Sequence, residues 1–427
     1  MALLRNRAFV VFWLARTISF AGTGITVVVL PVLAYRLTGS PGAVASLNAL
    51  EVLPYLAFGL LAGAMADRLN RKKMMVTCDL AAALVLAAAP AAAALHLLAP
   101  AQVFLTALGI GIAFVWFDAA NFGTLPVLVT RDQLPTASSF ISSSGTIALL
   151  IGPTVGAVLL TVMAPPFALG LDAASYLTSA MLIASIRRAF SRPGQGRQPH
   201  RRIRADVGEG LRFLWRHPVI KTMTLSVFCA CLSWGGTFSL LVVYASRALH
   251  MTRVDARLGL LYTVGEFGGL ISIAAIPKLI RHLPVGCLQA AFLAANVAGI
   301  ALLAVAPSYG WAVVIFCCYE LVFVMVATTG ITVRQLLTPD DLQARVNTAG
   351  RLIAYGGQPV GSIIGGLLAE FLPIRLTFGL LAMGVAVGAG LAGWAAFGSR
   401  PFSAASLPAR NLISAMNTAP APTPASE

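Results

Sequence analysis

Three carboxylates lie inside long apolar stretches of the chain: Asp118, Glu266 and Glu320. A charge at membrane depth is costly and persists where it faces a bundle interior or a water-filled path. Desolvation makes such a carboxylate hold a proton, and deprotonation opens it to a cation. Each of the three is therefore a candidate proton carrier. Glu51, Asp172 and Glu370 fall nearer one end of their stretches, Asp79 nearer the other, and Arg16 is a base within the first stretch.

Other chemistries find no support. The five histidines (His96, His200, His217, His250 and His282) are scattered near the ends of apolar stretches. No H-E-x-x-H, G-x-S-x-G or G-x-x-x-x-G-K-[ST] pattern occurs. The six cysteines lack metal-ligand spacing. The expectation is a protein that is not an enzyme and uses no metal and no cofactor.

The elements that carry these residues follow from composition. Of 427 residues, 58% are hydrophobic and 11% charged, whereas a soluble domain carries about 25% charged residues. A soluble fold has no room for that much apolar surface, so the chain reads as an all-α integral membrane protein. About 20 apolar residues cross a bilayer as a helix. Twelve such windows occur, at 12–35, 44–66, 74–95, 102–127, 136–161, 167–187, 219–245, 257–277, 285–305, 311–335, 344–370 and 375–397. They divide into two six-helix halves, residues 1–187 and 219–397. Residues 188–218 form a basic linker with an amphipathic segment over 206–217, expected to lie along the membrane surface, and residues 398–427 read as a disordered cytoplasmic tail.

Basic loops orient the bundle. With both termini cytoplasmic, 24 of the 30 Lys+Arg fall on the inner side, as cytoplasmic loops require. The +15 net charge is thus read as attraction to anionic membrane lipids, with no nucleic-acid partner. The first apolar stretch is too long for a cleavable signal. The chain is expected in the plasma membrane as a multi-pass monomer. The halves also look related: the T-x-D-x-L core at Thr130, Asp132 and Leu134 recurs at Thr338, Asp340 and Leu342, and Gly22-Thr23 recurs as Gly236-Thr237. Duplicated halves are a recurring transporter design with the site between them.

The loop after span two reads Gly63-Ala-Met-Ala-Asp67-Arg68-Leu-Asn70-Arg71-Lys72. It resembles the G-x-x-x-D-R-x-G-R-[RK] signature of the major facilitator superfamily, and the resemblance covers nearly all of residues 8–397. Gly63 allows close helix packing, Asp67 complements a neighbouring helix N-terminus, and Asp79 is a candidate partner for Arg68, Arg71 and Lys72. Asn70 stands where the family has Gly; Asn tolerates φ > 0, which would keep the tight turn. In span five, Ala148-x-x-x-Gly152-Pro153-x-x-Gly156 resembles the family's antiporter motif, with Ala148 in place of its first Gly.

The resemblance implies two six-helix halves, with spans one, four, seven and ten lining a central cavity. Asp118 and Glu320 then become cavity acids. Arg16, Trp116, Asn121, Trp234 and Tyr319 become candidate substrate contacts, together with Phe114, Phe117, Phe238 and Phe323. The leading expectation is a secondary transporter exporting a small amphipathic organic compound in exchange for protons. Gly22-Thr23-Gly24 departs from the Asp that relatives often carry in span one, and span four lacks their Arg, so import or uniport stays open. A non-transporting sensor or the membrane subunit of an ATP-driven pump is the reading from another class.

Overall fold

The computed structural model describes residues 3–66, 68–130, 132–188, 190, 203–251, 256–282, 285–339 and 342–398. Asp67, Asp340, positions 189 and 191–202 of the basic linker, and the tail after Gly398 lie outside the described residues. Among the described residues, a short turn at Leu3–Arg5 precedes fourteen helices. The first half holds α1 (Arg7–Thr38), α2 (Pro41–Ala66), α3 (Arg71–Ala94), α4 (Pro100–Leu128), α5 (Leu134–Val162) and α6 (Pro165–Ser185). The linker contributes α7 (Ile203–Arg216). The second half holds α8 (Pro218–Ser239), α9 (Leu241–Arg247), α10 (Ala256–His282), α11 (Val285–Val305), α12 (Tyr309–Leu337), α13 (Gln343–Phe371) and α14 (Ile374–Gly398). Among the described residues, ten helices are long and apolar enough to cross a membrane, and Ile374–Gly390 adds a shorter apolar stretch. The chain is an all-helical multi-pass membrane protein.

Local signals set the ends. Asn6 caps α1 by accepting the Phe9 N–H, and Gly39 closes it at φ 65°, a left-handed position that suits glycine. Pro100 and Pro165 open α4 and α6, where a missing N–H costs nothing. Span seven departs from the expected single helix over 219–245. It breaks at Leu240 (φ −93°, ψ 4°) into α8 and α9.

The two halves repeat one packing plan. In the first, α1 packs on α5 and α6, α3 on α4 and α6, and α2 on α4. In the second, α8 packs on α13 and α14, α11 on α12 and α14, and α10 on α12. Bilayer tails are as apolar as leucine, so small residues rather than hydrophobicity bring such helices together. Where α1 crosses α5, a methyl on Gly152 would sit 2.5 Å from Gly24 Cα. Where α8 crosses α13, a methyl on Gly361 would run into the Leu232 carbonyl. The halves meet through α2 with α13 and α5 with α10.

The amphipathic segment forms α7, which packs on the start of α13. Gly210 touches the Arg345 backbone, Leu214 is buried with Ile220 and Val346, and Glu209 pairs with Arg345. Its apolar side thus covers protein as well as facing outward through Trp215, which is 47% exposed.

Candidate functional site

Contacts between the halves gather at the end away from the basic loops. There Glu370 accepts hydrogen bonds from the Ser40 hydroxyl and the Gly42 N–H, 3.0 Å for the latter. The Arg247 guanidinium donates to Tyr35 Oη at 3.3 Å and to the Ala369 carbonyl at 3.2 Å. Deeper, Ser362 donates to Asn48 Oδ1 at 2.9 Å, and the Thr154 and Thr263 hydroxyls lie 2.8 Å apart. Toward the basic end the Arg351 guanidinium donates to Tyr55 Oη at 3.0 Å. Beyond it, Gly59 and Gly63 face open space. Among the described residues, hydrogen bonds between the halves gather at one end, and open space lies beside Gly59 and Gly63 at the other.

Beside these glycines a cavity of about 360 Å³ is lined by Tyr55, Gly59, Gly63, Arg71 and Asp118 of the first half and Arg351 of the second. Asp118 and Arg351 therefore approach from opposite halves. Arg71 is buried; its Nε donates to the Ala66 carbonyl at 3.2 Å and its Nη1 to the Gly123 carbonyl at 2.8 Å. It braces the ends of α2 and α4.

The rest of the loop motif divides by role. Gly63 lines the cavity, and a methyl there would meet nothing within 4 Å. Arg68 is exposed. Asn70 does not adopt φ > 0: it sits at φ −70°, ψ 105° and caps α3 by accepting the Lys73 N–H at 3.1 Å. Capping, an established Asn role, replaces the expected glycine-like turn. Lys72 Nζ donates to the Ala184 and Ile186 carbonyls at 2.8 and 2.6 Å, where a cation complements the C-terminus of α6. Asp79 is not seen paired with these bases; it is buried and accepts from the Ser179 hydroxyl at 2.7 Å. In the next loop the Thr130 hydroxyl and nearby backbone N–H groups hold the exposed Asp132 carboxyl below its usual range.

The span-five motif lies on a three-layer joint. Ala148, Gly152 and Gly156 pack against Gly24 and Ile25 of α1. Pro153, with Thr154 and Ala157, lies against Gly259 of α10 in the other half. One helix thus touches its own half and the opposing one.

Arg16 is buried, its guanidinium 4.3 Å from the Phe20 ring centroid and 4.5 Å from that of Phe117. Two desolvated cation–π contacts of ~2 kcal/mol each are of the order of the ~3 kcal/mol insertion cost of an arginine at the helix centre. Asp79, Tyr176 and Asp118 lie within electrostatic reach. Trp116 packs at the edge of the first-half core, Asn121 is half-buried beside it on α4, and Phe114 is 51% exposed.

In the second half, Trp234 Nε1 donates to Glu320 Oε1 at 2.8 Å. The indole is stacked between Phe238 and Phe323, with ring centroids at 4.5 and 5.3 Å. Glu266, half-buried, is within electrostatic reach of Glu320. Tyr319 does not take the expected place on the cavity wall: it is fully buried against Phe316 and Gly299. It adjoins Glu320 in the chain, so the helical face decides which of the two reaches the interior. Among the described residues, no cluster of three or more His, Cys, Asp or Glu has metal-holding geometry.

Sequence alone does not select Tyr55 and Arg351 as a pair. They are 296 positions apart, and only the run of α2 along α13 joins them. Glu370 is legible as an acid near a span end, but its partner helix is not.

Comparison with known proteins agrees with this arrangement. The family model of the Major Facilitator Superfamily matches residues 12–357. The chain is 25% identical over 372 residues to the multidrug efflux pump Tap of Mycolicibacterium fortuitum, covering 85% of this chain and 89% of the relative. It is 25% identical over 403 residues to the enterobactin exporter EntS of Escherichia coli O1:K1 / APEC, covering 90% and 92%. Among solved structures, the nucleoside transporter NupG superposes with a TM-score of 0.76 at 14% identity, over 92% of this chain and 100% of that one. A bacterial homologue of the iron transporter ferroportin in an inward-facing state gives 0.73 at 16%, over 92% and 100%.

Proposed function

The chain belongs to the Major Facilitator Superfamily, and from that premise we propose that it exports a small amphipathic organic compound across the plasma membrane in exchange for protons. The observation that carries this reading is the cavity lined by both halves near the basic end, with hydrogen bonds joining the halves at the other end. Rocking the halves about that cavity would expose it to each side in turn. With the basic end cytoplasmic, as the loop charges require, this is the state that takes substrate from inside. The names of the relatives, an efflux pump and an exporter, support outward transport.

Twelve crossings follow if every helix of 21 residues or more spans, with α8 and α9 together forming span seven. Both termini are then cytoplasmic, and the working unit is a monomer, since one chain supplies both walls of the cavity.

The roles follow from position. Asp118 faces Arg351 across the cavity, so its charge contributes to holding the halves in register. A proton on Asp118 removes that attraction. Glu266 and Glu320 are the second-half acids that can hold a proton while access changes. Gly63 to Lys72 form the gating loop, in which Arg71 and Lys72 brace helix ends that must move as one body. The α5 motif lets α5 slide between α1 and α10.

The test is export from proteoliposomes with an imposed pH gradient, comparing the native chain with Asp118→Asn, Glu266→Gln and Glu320→Gln. At least one variant should lose the dependence on the gradient while still exchanging substrate. Gradient-driven export that survives in all three would remove proton coupling from the reading. Uptake driven by the same gradient would reverse its direction.

A further inference from the structure

A second cavity, of about 530 Å³, lies within the first half, between the start of α1 and the end of α6. Arg7, Ala8 and Val11 line one side, and Ser185, Arg187 and Arg188 the other. Three guanidinium groups therefore share one space, and no carboxylate lines it. Arg188 donates Nη1 to the Leu128 carbonyl at 3.2 Å. Arg7 and Arg187 are exposed, and their side chains have no partner among the described residues. Like charges gathered around one space repel each other, and an anion between them turns that repulsion into attraction.

The two helix ends also favour an anion. The carbonyls of Ala184 and Ile186 at the end of α6 are already taken by Lys72 Nζ, so they do not compete for the arginines. The start of α1 presents the positive end of its dipole. Away from the arginines, both helices continue as apolar faces. On α1, Arg7 is followed one and two turns on by Val11 and Leu14; on α6, Ser185 is preceded one and two turns back by Met181 and Leu177. Leu14 is 41% exposed, Met181 57% and Leu177 44%. Charge at the mouth and outward-facing apolar side chains behind it follow one another along both helices.

We propose that the α1–α6 cavity binds the phosphate of an anionic glycerophospholipid, whose acyl chains lie along the apolar faces of α1 and α6. Guanidinium groups hold phosphate oxygens through paired N–H donors, and basic pockets between spanning helices take anionic headgroups. A free phosphate uses the arginines alone; the run from arginine to exposed leucine and methionine selects the lipid. Arg187 and Arg188 directly follow the last helix of the first half, so a lipid held there ties the start of the linker to the bilayer. The site lies apart from the cavity between the halves and does not depend on what the chain transports.

The test is equilibrium binding to the full chain, delipidated in dodecyl maltoside, of tail-labelled phosphatidylglycerol and phosphatidylcholine with the same chains, read by fluorescence anisotropy. Phosphatidylglycerol should bind about tenfold more tightly. Arg7→Gln and Arg187→Gln should each weaken it about fivefold, and the two together should bring it to the phosphatidylcholine level. Arg212→Gln removes the same charge from an exposed position on α7 and should bind as the native chain. Inorganic phosphate at about 10 mM should leave the labelled lipid in place. Equal affinity for the two lipids, or a loss in Arg212→Gln as large as in Arg7→Gln, overturns the site, the second because it reports attraction to the whole basic surface. Displacement by inorganic phosphate overturns the lipid as its ligand. If one arginine variant fails to keep the native unfolding midpoint, the other carries the comparison, and phosphate competition on the native chain decides the ligand in either case.

Discussion

The two halves share a helix plan but bury charge in opposite ways. In the first half Arg16, Asp79 and Asp172 are matched, whereas Glu51 has no partner among the described residues. Arg16 lies between Phe20 and Phe117, Asp79 takes the Ser179 hydroxyl, and Asp172 takes the Thr26 hydroxyl at 2.5 Å and the Ser175 hydroxyl at 2.9 Å. In the second half Glu320 has one indole N–H, and no base faces it or Glu266 among the described residues. A matched buried charge holds structure together; an unmatched one is a standing cost that a proton or ligand relieves.

The comparison breaks most visibly if matched and unmatched acids respond alike. Asp79→Ala orphans the buried Ser179 hydroxyl and removes a charge near Arg16, so it should cost ~2–3 kcal/mol. Thermal unfolding in detergent should show a fall of several degrees. Glu320→Gln, by contrast, removes an uncompensated charge and should leave the midpoint unchanged or raise it. An equal loss in both would erase the distinction between the halves.

The closed end sharpens the comparison next, because a second-half acid there does have partners. Glu370 holds the first turn of α2 in the other half. Glu370→Gln should release ~1 kcal/mol of that hold, about a fivefold rise in the opening equilibrium. Hydrogen exchange of the Gly42 to Ala45 amides reads it, and unchanged exchange would mean that the other contacts, with Arg247, Ser362 and Thr263, close this end without Glu370.

The smallest effect concerns the link between halves. His217 caps α8 by accepting the Ile220 N–H at Nδ1, 3.4 Å away, and partial burial holds it below the usual histidine range. Its neutral form is the capping form. The stabilisation is present above the unfolded-state value of about 6.5 and declines as pH falls through it toward the lower folded-state value, because the unfolded chain then binds the proton first. Lowering pH from about 7.5 to about 5.5 should shift the native midpoint slightly, by well under ~1 kcal/mol. The His217→Asn variant, which caps without titrating, should lack that contribution.

Much of the fold was legible because its signals are local. Apolar runs match helix cores closely: the expected 285–305 is α11, and the expected 167–187 overlaps α6 (Pro165–Ser185). The break at Leu240 escapes sequence reading, because no Pro or Gly sits at it; packing of α9 and the reach of Arg247 to the other half accompany it. The family pattern makes Asn70 a glycine substitute, whereas the local geometry uses its side chain as a cap. For the site, residue type finds Asp118, Glu266 and Glu320 as acids in apolar surroundings. It does not find Arg351 and Tyr55 together, and it puts Tyr319 on the cavity when that residue belongs to the core.

Composition and periodicity alone determined that the chain is a helical membrane bundle, since about 20 apolar residues without charge have no other stable home. Loop charge set the bundle's expected direction for the same kind of reason: it depends on nearby residues and not on contacts. Which acids meet a base, which meet an aromatic wall and which end is shut were decided by tertiary structure. Those outcomes depend on helices brought into register across hundreds of residues by glycine-lined crossings, and a one-position turn of α12 would exchange the places of Tyr319 and Glu320.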